Sequence, residues 1–137
     1  MGTVYAEITL KNAGDIAGVQ RGYITEKEVR ATTVQALVDT GCGTLVITDE
    51  VRKALGLEIV GLRGSTLANG ARQVCQVTEP VQIHWKNRDT ACRAIVLPGA
   101  EEVLLGAIPL EDMDLIINPA RKELTGAHGD EVICLIK

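Results

Sequence analysis

The most restrictive feature of this chain is a succession of short aliphatic runs, each cut off after a few residues by Gly, Asn, Asp or Pro. Val4 to Leu10, Thr32 to Val38, Thr44 to Ile47, Val81 to Trp85, Cys92 to Leu97, Val103 to Leu105, Leu115 to Ile117, Lys122 to Leu124 and Val132 to Ile136 all have this character. β-Branched runs of this length, bounded by turn residues, read as strands. Val81, Ile83 and Trp85 alternate with Gln82 and His84, the period-two pattern of a half-buried strand. The core has to be aliphatic: 46% of the 137 residues are hydrophobic, yet Tyr5, Tyr23 and Trp85 are the only aromatics and there is no Phe. That supplies one modest core, and residues 1–137 are expected to form a single mainly β domain that closes, or nearly closes, on itself.

Helices are expected in one or two places. Thr48 is a fitting N-cap, Asp49 and Glu50 occupy the positive first turn, Val51, Ala54 and Leu55 form an apolar stripe, and Gly56 is a stop. A short helix over Leu110 to Met113 is expected after Pro109. Glu58 to Leu67 reads as extended, and Asn69-Gly70 predicts a hairpin because both residues tolerate positive φ. Lys11 to Asp15 reads as a turn, followed by a hairpin-like region around Tyr23-Ile24.

The composition excludes several functions. A net charge of −4, with acidic and basic residues spread along the chain and few stacking aromatics, gives no footprint for nucleic acid. No apolar run approaches the roughly 18 residues of a membrane span. The segment Met1 to Ala6 lacks the pattern of a signal peptide or a myristoylation site, so cytoplasmic residence is the expectation. Cys42, Cys75, Cys92 and Cys134 stand far apart, and His84 and His128 add no ligand spacing, so no metal site and no cofactor are expected. The four thiols read as small, reduced and mostly buried residues.

One carboxylate carries a candidate chemistry. Asp39 follows the apolar strand that ends at Val38 and precedes Thr40-Gly41. An unpaired charge at the end of a buried strand is costly. Thr40 offers a hydroxyl to neighbouring backbone, and Gly41 permits a tight turn that exposes an N–H toward the carboxylate. The alternative is an ordinary Asp-Gly-type turn between two strands.

The wider segment Ala36-Leu37-Val38-Asp39-Thr40-Gly41-Cys42-Gly43-Thr44-Leu45-Val46-Ile47, with the helix ending at Gly56, resembles the retropepsin-like aspartic peptidases, the retroviral-type proteases and their cellular relatives. Downstream, Val96-Leu97-Pro98-Gly99 and Val103-Leu104-Leu105-Gly106, followed by a helix and Asp114 to Pro119, is similar to the family's hydrophobic-hydrophobic-Gly element. Leu67 to Arg72 stands where the family places its flap hairpin. The resemblance spans about residues 30–119, and it implies a closed acid-protease barrel with a flap.

The resemblance also implies a mechanism. Asp39, Thr40 and Gly41 would be the catalytic triplet. Cys42, Gly43, Gly106 and Ala107, with Ala68, Asn69, Gly70 and Ala71 of the flap, would contact an extended peptide substrate. Aspartic peptidases use two carboxylates sharing one proton. No other Asp of this chain is followed by Thr or Ser and then Gly: Asp89-Thr90 leads to Ala91, and Asp130 to Glu131. The second carboxylate would therefore come from another copy, in a C2 homodimer with Asp39 at the axis. The terminal strands near Val4 to Leu10 and Val132 to Ile136 would help build that interface. Cys42-Gly43 and Ala107 depart from the family's usual Ala or Ser followed by Ser or Asp, and from its frequent Arg, which puts substrate preference in question. A catalytically weak, dimeric peptide-binding scaffold of the same fold is the alternative reading.

Overall fold

The computed structural model describes residues 3–134 and residue 136. In chain order the elements are β1 (Tyr5–Asn12), α1 (Ala13–Gln20), a 3-10 turn (Glu26–Glu28), β2 (Ala31–Val38), β3 (Leu45–Ile47), α2 (Asp49–Leu55), β4 (Ile59–Thr66), β5 (Arg72–Trp85), β6 (Arg88–Val96), β7 (Leu104–Leu105), α3 (Ala107–Asp112), β8 (Leu115–Asn118) and β9 (Glu123–Gly126).

Six strands close into a ring in the order β1-β2-β7-β3-β6-β5, with β5 returning to β1 through Thr9↔His84 to Asn12↔Val81. The mainly β fold with a closed sheet agrees with the expectation. Two of the junctions are parallel, β2 with β7 and β3 with β6. β4 lies outside the ring and pairs only with β5, as a hairpin that projects from it. The ring encloses an aliphatic core in which Ile8, Leu10, Leu45, Ile47, Leu55, Val81, Ile83, Leu105 and Met113 are almost completely shielded. Alternation builds it: along β1 every second residue, Ala6, Ile8 and Leu10, points inward.

α2 forms as its signals predict. Thr48 Oγ1 accepts from Val51 N (3.1 Å), Asp49 pairs with Arg52 and Lys53, and Gly56 takes the left-handed conformation (φ +60°). Four local expectations are corrected. Lys11 to Asp15 is not a turn and Tyr23-Ile24 is in no strand; β1 runs to Asn12 and α1 follows, so the α-helices among the described residues number three. Asn12 is buried and caps α1, accepting from Asp15 N (3.0 Å) while its amide donates to the Leu55 carbonyl (2.8 Å). The helix after Leu105 begins at Ala107, upstream of Pro109, because the chain turns directly out of β7. Val132 to Cys134 form no strand: β8 pairs with β9 instead, and Ile133 N donates to the Asp114 carboxylate (3.1 Å). Ile136, the last residue of that expected strand, is in no strand either, and Leu135 lies outside the described residues. Finally, of the four cysteines only Cys75 is buried; Cys42 and Cys92 are half-buried, Cys134 is exposed, and none is in a disulfide.

Arg88 fastens β8 and β9 to the ring. Its buried guanidinium donates to the carbonyls of Met113 (3.0 Å), Asp114 (2.7 Å), Gly129 and Glu131 (3.4 Å).

Among the described residues no helix is long and apolar enough to cross a membrane.

Candidate active site

Asp39 stands one residue beyond the end of β2, where the strand leaves the core. Its N–H donates to the Leu105 carbonyl (3.0 Å), continuing the β2–β7 pairing, and its own carbonyl accepts from Cys42 N (3.1 Å) to close a turn. Within that turn Gly41 N donates to Asp39 Oδ1 at 2.9 Å. The carboxylate, half-buried, is thus oriented by the glycine of its own triplet, as the sequence predicts. A Cβ at Gly41 would come within 3.2 Å of that oxygen, so a side chain there would crowd the bond. Thr40 is exposed, and contrary to expectation its hydroxyl makes no hydrogen bond among the described residues.

The second sequence element supports the loop from behind. Gly106 presses against the backbone of Cys42 and Thr44 so closely that any Cβ would collide with their carbonyls. The next two N–H groups, Ala107 N and Ile108 N, donate to the carbonyls of Cys42 (2.8 Å) and Gly43 (3.1 Å). The first amides of a helix have no partner within it, and here the turn that follows Asp39 accepts from them. Gly106 and Ala107 therefore buttress the loop and do not line the groove described next.

That groove, of about 640 Å³, runs beneath the β4–β5 hairpin. Asp39, Gly41, Cys42 and Gly43 lie on one side of it, and Arg63, Ser65, Thr66, Leu67 and Ala68 on the other. Its walls are aliphatic: Val46, Ile95, Leu97, Leu104 and Ile108. The hairpin tip forms as predicted. Gly70 has φ +84°, Asn69 Oδ1 accepts from Ala71 N (2.9 Å), and Gly70 N donates to the Leu67 carbonyl (2.9 Å). Of the flap residues named from sequence, Ala68 lines the groove, while Asn69, Gly70 and Ala71 sit exposed at the tip, beyond it. Sequence reasoning missed Arg63, Ser65 and the aliphatic walls, because only cross-strand register shows which face of a hairpin they occupy.

A second depression of about 330 Å³ flanks Asp39 on its other side, lined by Val4, Leu37, Thr40, Ile117 and Pro119 among others. Among the described residues no three His, Cys, Asp or Glu side chains gather to hold a metal ion.

The model of the family described as "gag-polyprotein putative aspartyl protease" matches residues 25–112. The chain belongs to this retropepsin-like family. The matched stretch runs from the 3-10 turn through α3, and so contains the Asp39 triplet, the flap hairpin and the Gly106 element; β1, α1, β8 and β9 lie outside it. No curated protein matches the chain.

Proposed function

We propose that the protein is an aspartic endopeptidase whose active site assembles from two copies of the chain. The observation that carries this reading is the placement of Asp39. It is a single half-buried carboxylate, oriented by Gly41 N at 2.9 Å, at the edge of a groove roofed by a hairpin. One lobe offers one such carboxylate. A C2 dimer with Asp39 near the axis supplies the other, and the depression lined by Leu37, Ile117 and Pro119 beside Asp39 gives a second copy an apolar surface to cover.

Two carboxylates in contact cannot both ionise easily, so the pair holds one proton. The ionised member accepts a proton from water as the water oxygen adds to the scissile carbonyl carbon. The protonated member gives its proton to the carbonyl oxygen, which becomes a hydroxyl. Collapse of the resulting diol breaks the C–N bond, with a proton passing from the dyad to the leaving amine and the diol's proton returning to the dyad. No covalent enzyme intermediate forms. The substrate lies extended in the groove, with alternate side chains directed to the flap and to the aliphatic walls.

Digestion of a mixed peptide library, scanned from acidic to neutral pH, tests this reading beside Asp39→Asn. The expected result is cleavage by the unaltered dimer and its loss in the variant, with fold and dimer retained. A confirmed dimer that cleaves nothing would favour a peptide-binding scaffold, and activity persisting in Asp39→Asn would remove the dyad.

A further inference from the structure

The β4–β5 hairpin turns one of its two arginines, Arg63, toward the groove, while Arg72 lies on the outer face. Residues directly opposite one another in an antiparallel pair share a face. Arg63 is paired with Cys75, whose side chain is buried, and both line the groove. The other face of the same hairpin presents Val60, Leu62 and Val74, which are 51%, 71% and 64% exposed.

Arg63 also has no counter-ion. It makes no ion pair and no side-chain hydrogen bond among the described residues. Among the described residues it is, apart from Asp39, the only charged side chain lining the groove. Two copies would bring two Arg63 cations to a site whose dyad carries a single shared negative charge. The assembled groove is then cationic where the flap covers it, and aliphatic along its walls.

From this we propose that Arg63 selects substrates: the groove takes an extended peptide in which an acidic side chain, Glu or Asp, points to the flap and neighbouring aliphatic side chains meet Val46, Ile95 and Leu97. This rests on the peptide-binding groove of the proposed function and names its substrate class. The guanidinium fork matches a carboxylate in two parallel hydrogen bonds, which an ammonium or an amide does not reproduce. By symmetry the preference holds at two positions of the peptide, one on each side of the dyad.

Fluorescein-labelled octapeptides of Val, Leu and Ala, carrying a single Glu, Gln or Lys at each position in turn, test this by anisotropy with the Asp39→Asn protein, so that nothing is cleaved. The expected result is a preference for Glu over both Gln and Lys of about tenfold, near 1.4 kcal/mol, at one position and its symmetry mate. The preference weakens with added salt, disappears when Arg63→Met is added, and turns toward Lys in Arg63→Glu. Equal binding of the three series, no binding of any, or a Glu preference that survives Arg63→Met overturns the proposal. Hydrolysis by the unaltered protein is read separately. Binding of glutamyl peptides without any cleavage keeps the selectivity and defeats the peptidase; cleavage indifferent to Glu does the opposite.

Discussion

The N–H of Ala107 donates to the carbonyl of Cys42 at 2.8 Å, so the helix that follows β7 is capped by the turn that carries Asp39. The residue between strand and helix, Gly106, packs onto that same backbone with no space for a Cβ. Gly106→Ala is therefore expected to push the Cys42–Thr44 turn away from α3. Overpacking of this kind costs about 1–3 kcal/mol. The displacement also shifts Asp39, so peptide cleavage should fall further than the lost stability accounts for. Denaturant unfolding and a cleavage assay on the same preparation check this; unchanged values for both would contradict the geometry.

Arg88 is expected to be the most sensitive position outside the groove. Its guanidinium serves the carbonyls of Met113, Asp114, Gly129 and Glu131, and thereby joins β6 to the chain around β8 and β9. Hydrogen bonds from a charged donor are stronger than neutral ones, and removing it leaves the buried Met113 carbonyl and three partly buried ones without this partner. Arg88→Ala should cost about 2 kcal/mol or more, and Arg88→Lys should recover little, because an ammonium cannot reach the same divergent acceptors. Hydrogen exchange should show the loss concentrated in residues 113–131.

These positions show what was and was not legible in the sequence. The bond from Gly41 N to Asp39, the cap at Thr48, the stop at Gly56 and the Asn69-Gly70 turn are local chemistry, and each forms as its residues dictate, whereas the Thr40 hydroxyl does not take the role its position suggests. α1 was hidden because Ala13-Gly14-Asp15-Ile16-Ala17-Gly18-Val19-Gln20 has two glycines and buries no residue completely. It is held by the Asn12 cap and by Asp15, which accepts from Arg30 N, Nε and Nη2. The apolar character of Val132 to Ile136 suggested a strand, yet β9 had already taken the edge of β8. Arg63 was invisible for a different reason: its face depends on pairing with Cys75, a register that no local pattern sets.

The Asp114 cluster predicts an acid-sensitive attachment of the chain end. The Asp114 carboxylate accepts from His128 Nδ1 (2.7 Å) and from Ile133 N (3.1 Å), and these hydrogen bonds, His128 first, hold its carboxyl below the ordinary value. A carboxyl lowered in the folded state contributes stability above its unfolded pKa and loses it as pH falls through the folded one. The contribution is thus full above about pH 4 and fades below it. Amide exchange at Ile133 should accelerate as the pH drops through that range, relative to the intrinsic rate, and Asp114→Asn should show the faster exchange at every pH. An Ile133 amide equally protected in both proteins would count against the cluster.

Assembly can be tested with the groove's own arithmetic. If each active site needs Asp39 from two chains, a chain with Asp39→Asn inactivates every dimer it enters. Random reassociation of equal amounts of unaltered and Asp39→Asn chains leaves about one quarter of the dimers with both carboxylates. Activity should then fall to about one quarter of that of the unaltered chain at the same total concentration, whereas independent monomers would retain half. Ile117, in the depression beside Asp39, supplies the complementary test. Ile117→Asp places a charge where an apolar partner surface is expected, and it should yield a folded species of one chain's mass, 14.6 kDa, with no cleavage. Mixed with unaltered protein it should not poison activity, because it does not enter the dimer. A retained half in the first mixture, or full activity from a strictly monomeric Ile117→Asp, would show that one chain's carboxylate suffices.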